Sequence, residues 1–436
     1  MVAPERARTR YLWLLFLAAG AIVLLGRPDR TASPNAHLLA TIAAVYLLLW
    51  SAVSALRRKS GGAVAKGFLL TSGSLAVAIG ALEVLAFAGV DFERFFETHT
   101  GSLWNHPGNK PDPRLLYLRK PHSKVFWEGV RYRYDQHGFR NASDPTAADV
   151  IVVGDSFVEG WNVHAGELLT ARLAGRLGVP VVNLGQSGYG PQQELETLRR
   201  FGLPLSPRAV VWVFFEGNDL DDVARYEWTR KHWRNLSQPS YGGRSFVRSA
   251  IKALRQLPDR TENTPWTRQP GEAARAANLH RSGLCRGSQG RSERLYFWYE
   301  GRRLSDQDKE SLRQVGRDLR SARRLCAETR AGLLVVFAPS KYRVYRDLCT
   351  FEEDADPARW VLNDLPRQFG ALLAREAPGA GYLDLTPALR AEAASGRLVY
   401  FPYDTHWTAA GHAVAAREIA GRLAASPALA RSEGGR

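Results

Sequence analysis

A serine, a histidine and an aspartate are the residues of this chain whose types and spacing most plainly suggest chemistry. Ser156 follows Val150-Ile-Val-Val-Gly-Asp, four β-branched apolar residues running into a turn. A serine hydroxyl is a weak nucleophile until a base takes its proton. The usual base is a histidine whose tautomer and orientation are held by a carboxylate. Such a pair lies far downstream in Tyr403-Asp404-Thr405-His406-Trp407. Asp404 and His406 are two residues apart, so an extended backbone points both to one side. The oxyanion of a tetrahedral intermediate also needs donors. Three candidates are the backbone N–H of Ser156, the backbone N–H at Gly188 in Asn183-Leu-Gly-Gln-Ser-Gly188, and the side chain of Asn218 in Gly217-Asn218-Asp219. This is the chemistry of acyl transfer through a covalent acyl-enzyme, and it requires no metal and no cofactor.

These residues must be carried on elements that bring them together. The run at 150–153 reads as a strand buried on both faces, as in a parallel sheet. A helix follows with Leu169, Leu173 and Leu177 on one side and Gly178 at its end. A second strand begins at Val181, and Pro191 suits the first turn of the helix bearing Leu195, Leu198 and Phe201. Residues 209–215 form a third strand, 333–337 a fourth ending at Ala338-Pro-Ser-Lys341, and 382–385 a fifth. Helical spacing of Leu312, Val315, Leu319, Ala322 and Cys326 precedes the fourth strand, and a last helix follows Trp407. Strands alternating with helices predict an α/β fold, a three-layer α/β/α doubly wound parallel sheet. In such a sheet, chemistry sits at the carboxyl ends of the strands. Residues 220–304 break the rhythm. They are rich in Trp and Arg and read as an insertion or lid over the strand ends. Residues 91–148 form a lead-in, with Val130-Arg-Tyr-Arg-Tyr134 as a short exposed strand before Gly138-Phe139-Arg140.

The blocks Gly154-Asp155-Ser156-Phe157, Gly188, Gly217-Asn218-Asp219 and Asp404/His406 together resemble the SGNH (GDSL-type) hydrolase superfamily, over roughly residues 112–424. That resemblance implies a flavodoxin-like fold with Ser156 as nucleophile, His406 as base, Asp404 as its orienting carboxylate, and Ser156, Gly188 and Asn218 as the oxyanion hole; Gly185 is the second candidate for the block's glycine. The spacing Asp-x-His followed by Trp-Thr, with Ala338-Pro-Ser-Lys341 upstream, is similar to the AlgJ/AlgX-like branch, which O-acetylates exported polysaccharides. In that branch the Asp-x-His element normally precedes the serine block; here it follows, as in ordinary hydrolases.

Three apolar runs, at about 11–26, 37–56 and 67–90, precede all of this and predict a 1–90 membrane anchor with three transmembrane helices. Arg6, Arg8 and Arg10, and then Arg57, Arg58, Lys59 and Lys66, mark the cytoplasmic side, so an odd number of crossings places the 149–425 domain outside the cytoplasm. Glu83 interrupts the third run and is expensive there. Residues 426–436 read as a frayed tail. The net charge is +16, yet no helix-turn-helix, zinc-finger or RNA-binding signature accompanies it, so nucleic acid is not the expected partner. Cys285, Cys326 and Cys349 lack CxxC spacing; an extracytoplasmic domain allows one disulfide and one free thiol, with the pairing open.

The resulting expectation is a multi-pass cell-membrane protein with an outer serine esterase that removes short acyl groups, acetyl by analogy, from a glycan or a small ester. A polysaccharide O-acetyltransferase with the same three residues is the alternative. It would need a separate acyl-exporting membrane protein, and the insertion and Lys341 would bind the acceptor. A non-catalytic glycan-binding domain is the third reading. His164, His232 and His412 are further histidines; His412, at the start of a helix, is read as a capping or surface residue, Asp155 as a brace of its loop, and Trp407 as either a wall of the site or packing for the last helix.

Overall fold

The computed structural model describes residues 61–95, 108–127, 129–237, 241–261, 279–287 and 292–425. The expected spans at 11–26 and 37–56 and the tail at 426–436 lie outside the described residues. The chain divides into two compact units, Met1–Thr100 with Gln238–Glu262, and Gly101–Ser237 with Asn263–Arg436.

In the first unit a helix runs from Gly61 to Phe87. Its stretch Lys66–Phe87, 22 residues, is long and apolar enough to cross a membrane, and it is the one such helix among the described residues. Leu69, Val77 and Phe87 are largely exposed along it. Glu83 is not left bare: it accepts hydrogen bonds from Tyr241 Oη (2.7 Å), Ser245 Oγ (2.9 Å) and the backbone N–H of Val247 (2.8 Å). Part of the 220–304 insertion therefore returns to this helix. There Phe246, which opens a helix (Phe246–Thr261), packs edge-on against Phe92.

The second unit is built on a five-stranded sheet. Its strands are β1 (Val150–Gly154), β2 (Val181–Gly185), β3 (Ala209–Phe215), β4 (Gly332–Ala338) and β5 (Gly381–Asp384). All pairings are parallel, in the order β2-β1-β3-β4-β5. Strand alternation sends Ile151, Val153, Trp212, Phe214, Val335 and Phe337 to one core and Val150, Val152, Val211, Val213 and Val336 to another. The helices Asp306–Glu328 and Leu365–Glu376 cover the first face; Leu169–Leu177, Thr386–Ala394 and Ala409–Ala424 cover the second. This is a three-layer α/β unit. Its strand order reverses between β1 and β3, the place where ligands bind in doubly wound sheets.

One local expectation changes. The strand Val130–Arg133 is not simply exposed: it alternates, with Tyr132 and Tyr134 buried and only the arginines outward. The insertion, whose fold the sequence leaves unread, holds several elements. It begins with the helix Asp219–Ser237 and ends in a hairpin, Ser282–Arg286 with Ser292–Tyr296. Cys349–Thr350 joins that hairpin as a third strand, opposite Cys285. The Cys285–Cys349 disulfide is thus a rung between paired strands, and Cys326 is a buried free thiol in the core. Closing a loop of 64 residues removes about 4 kcal/mol of unfolded-chain entropy in the loop-closure view.

Candidate active site

Ser156 begins a one-turn helix (Ser156–Glu159) directly after β1. Its amide has no intrahelical acceptor at that position. Asp155 caps the turn, accepting from Phe157 N at 2.9 Å. Gly154 is demanded by space, since a Cβ there would come 2.5 Å from Val158 Cγ2. The sharp turn that presents Ser156 is therefore set by the residues on both sides of it.

The loop before the last helix meets it. His406 Nε2 lies 2.8 Å from Ser156 Oγ, and His406 Nδ1 lies 2.6 Å from Asp404 Oδ1. The same Asp404 oxygen accepts the backbone N–H of His406 at 2.8 Å, which fixes the pair as one unit. Burial disfavours a charged His406, but the Asp404 carboxylate and its hydrogen bond outweigh that and raise the imidazole above its ordinary range. Asp404 is held low for the reciprocal reason: burial opposes its charge and His406 overcomes it. With Nδ1–H donated to Asp404, the free Nε2 lone pair faces the serine hydroxyl, the tautomer a general base needs. Trp161 stacks on the imidazole at 6.3 Å, and Phe157 packs at 5.2 Å.

Of the expected oxyanion donors, Gly188 lies in the loop after β2 with φ +75, a left-handed conformation suited to glycine. Gly185, the second candidate, has its N–H occupied by Asn183 Oδ1 at 2.8 Å. Asn218 follows β3, and its Nδ2 donates to Asp222 at 2.7 Å, leaving one amide hydrogen uncommitted. Ser156, Gly188 and Asn218 thus come from the ends of three adjacent strands at the switch point.

Several groups that order these loops escape sequence reasoning. Glu159 is buried and accepts from the backbone N–H of Ser187 (2.6 Å), from Ser187 Oγ and from Tyr134 Oη (2.7 Å), with Arg119 at 3.5 Å. Burial alone would raise its carboxyl, but Arg119 and these hydrogen bonds hold it below its usual value. It therefore ties the lead-in to the Gly188 loop. Glu216, just before Gly217, accepts Ser340 N (2.8 Å) and two contacts from Arg343 Nε (2.8 and 2.9 Å). The only local signal for either was an acid beside a motif.

Lys341 is a correction. Read from sequence as an acceptor-binding group, it is buried instead, donating to the carbonyls of Tyr296 (2.8 Å), Phe401 (2.7 Å) and Pro402 (3.2 Å). It clamps the loop that carries Asp404. Burial pulls its ammonium down to about 7, and the Asp404 charge pulls the other way. His412, also buried, accepts the N–H of Leu169 at 3.1 Å, so it caps a helix and is no surface group. His164 and His232 are exposed, and His232 bonds the carbonyl of Trp228. Trp407 is fully buried against Phe157 and His412, in the packing role.

Residues 288–436 match the family described as ALGX, the SGNH hydrolase-like domain of acetyltransferase AlgX. No curated protein matches the chain. The family match supports the SGNH superfamily in its AlgX-like form, and it is consistent with an esterase or an acyltransferase. It covers the loop with Asp404 and His406, while Ser156 lies upstream of the matched residues.

Proposed function

We propose that this chain is a membrane-anchored serine O-acyltransferase that moves a short acyl group, acetyl by family analogy, onto a polysaccharide outside the cytoplasm. The observation that carries the reading is the Ser156–His406–Asp404 hydrogen-bonded line, joined to a chain segment that matches an acetyltransferase domain. His406 Nε2 takes the Ser156 proton as Oγ attacks the donor ester carbonyl. The amides of Ser156 and Gly188 and the Asn218 side chain receive the oxyanion. Collapse expels the donor alcohol, which leaves with the proton held by His406. A sugar hydroxyl then gives its proton to His406 as it attacks the acyl-enzyme, and the new sugar ester leaves as His406 returns that proton to Ser156 Oγ. Asp404 steadies the imidazolium at both stages without taking its proton.

Hydrolysis is the second reading, favoured by the serine-first order of the blocks; water then replaces the sugar hydroxyl in the last step. Placement outside the cytoplasm is supported by the apolar helix Lys66–Phe87 and by the Cys285–Cys349 disulfide. The acyl donor would come from a separate exporting membrane protein. The test compares polysaccharide ester content, and turnover of a chromogenic acetyl ester, between the parent and Ser156→Ala. Loss of both supports the proposal, undiminished turnover in the variant removes Ser156 as nucleophile, and acetyl release without any transfer to glycan selects the esterase.

A further inference from the structure

A cleft of about 270 Å³ opens beside the Asn218 loop, walled by Gly217 and Asp221 on one side and by Trp298, Tyr299, Glu300 and Arg302 on the other. It belongs wholly to the second unit, and its far wall is the segment that follows the hairpin of the insertion. Two links join it to the reaction centre. The ring of Tyr299 packs edge-on against Phe215 at 5.3 Å, and Phe215 in turn packs on Phe157, the residue after Ser156. The indole Nε1 of Trp298 points to the carbonyl of Tyr403, next to Asp404, at 3.4 Å.

The chemistry of the walls selects a ligand. Trp298 leaves 58% of its surface exposed, a wide apolar plate at the rim of an otherwise polar cleft. The strongest charges there cancel internally: Arg343 pairs with Glu216, and Arg302 with Asp308. What remains is hydrogen-bonding capacity without a fixed excess of positive charge. The Tyr299 hydroxyl and the Glu300 carboxylate make no hydrogen bond among the described residues, and Arg281 Nε is buried without a partner. Burial first, and then the carboxylates of Asp155, Asp222, Asp219 and Asp404, push the Tyr299 phenol up, so it stays a neutral donor. A flat aromatic face beside paired donors and acceptors fits the apolar face and ring hydroxyls of a sugar. The lining carries four carboxylates (Glu216, Asp221, Glu300 and Asp308) against three arginines (Arg281, Arg302 and Arg343), so an anionic ligand meets no excess of positive charge.

We infer that this cleft is the acceptor subsite, binding an uncharged sugar residue with its ring against Trp298 and its hydroxyls on Tyr299 and Glu300. The inference rests on the glycan-directed reading above, but its test does not require turnover. Full-length Ser156→Ala protein in detergent is titrated with cellohexaose as the uncharged probe and with hexagalacturonate as the anionic one, following binding by calorimetry. The subsite predicts saturable binding of cellohexaose, weaker binding of hexagalacturonate, and a loss of about tenfold in affinity in Trp298→Ala, largely restored by Trp298→Tyr. Tyr299→Phe keeps the ring and removes only the hydroxyl, so it guards against a folding defect; it should weaken binding about threefold to tenfold. No binding of cellohexaose at millimolar concentration, tighter binding of the uronate, or affinity unchanged when Trp298→Ala or Tyr299→Phe is added to Ser156→Ala would each overturn the subsite. Chromogenic-ester turnover by the parent separately reports whether Ser156 chemistry exists, so the two ideas fail independently.

Discussion

His406 and His412 stand six residues apart, the first partly buried and the second fully, and they have opposite chemistry. His406 sits in a loop with a carboxylate on Nδ1 and a hydroxyl on Nε2. His412 sits in the first turn of the last helix and accepts a backbone amide on Nδ1. Burial presses both toward the neutral form. Against it, Asp404 raises His406, whereas His412 has no such anion and falls to about 3, with Arg140, His406 and Arg172 adding to the depression. The lesson is that burial does not make a histidine catalytic or structural; its partners do. One imidazole is poised to gain a proton, and the other is kept as a permanent acceptor.

The strongest way to break this contrast is to remove each ring. His406→Ala should lower kcat/KM on a chromogenic acetyl ester by about 10⁴-fold, read by steady-state kinetics, with thermal unfolding unchanged to within a few degrees. Asp404→Asn should cost about 10²- to 10⁴-fold in kcat, because the tautomer is no longer held. The pH profile then sharpens the point. His406 must be neutral to act as base, so the parent loses activity as pH falls through its raised value. In Asp404→Asn that acid limb should move to lower pH, and an unmoved limb would show that Asp404 is not what raises His406.

Lys341→Met removes the clamp on the 401–402 backbone while leaving Ser156, His406 and Asp404 intact. A displacement of that loop should lower kcat about tenfold to hundredfold, measured beside a circular dichroism melt. The smallest effect is expected at His412. His412→Leu leaves the Leu169 amide without its acceptor and should cost about 1–3 kcal/mol by denaturant unfolding, with kcat/KM near the parental value. Its pH signature is distinct. A histidine depressed in the fold contributes stability that is full above its unfolded value of 6.5 and is lost as pH falls toward about 3. His412→Leu should therefore lose less stability than the parent on acidification across that window. His406 has the opposite sign: raised in the fold, it adds stability below 6.5 that fades as pH rises through its folded value.

The same contrast explains what could be read from the sequence. The strands were legible because parallel, twice-covered strands are unbroken apolar runs, as in Val150–Gly154 and Ala209–Phe215. Ser156, Asp404 and His406 stood out because each belongs to a short motif at a strand end or loop. What could not be read is set by partners distant in the chain. Lys341 reads as a group free to bind an acceptor because nothing near it in the chain shows that three carbonyls, two of them some 60 residues away, enclose it. Glu83 looked like a polar fault in an apolar run, since its donors at 241–247 lie in a segment without periodicity tied to it. Three cysteines allow three pairings, and only the strand register of Cys285 against Cys349 selects one.

Trapping the covalent intermediate tests most directly that Ser156 and His406 act together. The protein is mixed with a chromogenic acetyl ester, quenched in acid within the first turnover, and digested for mass spectrometry. An acetyl group on the peptide containing Ser156, formed in a burst and absent in His406→Ala, is the predicted result. Turnover with no acetyl at Ser156, or an equal burst without His406, would contradict the account.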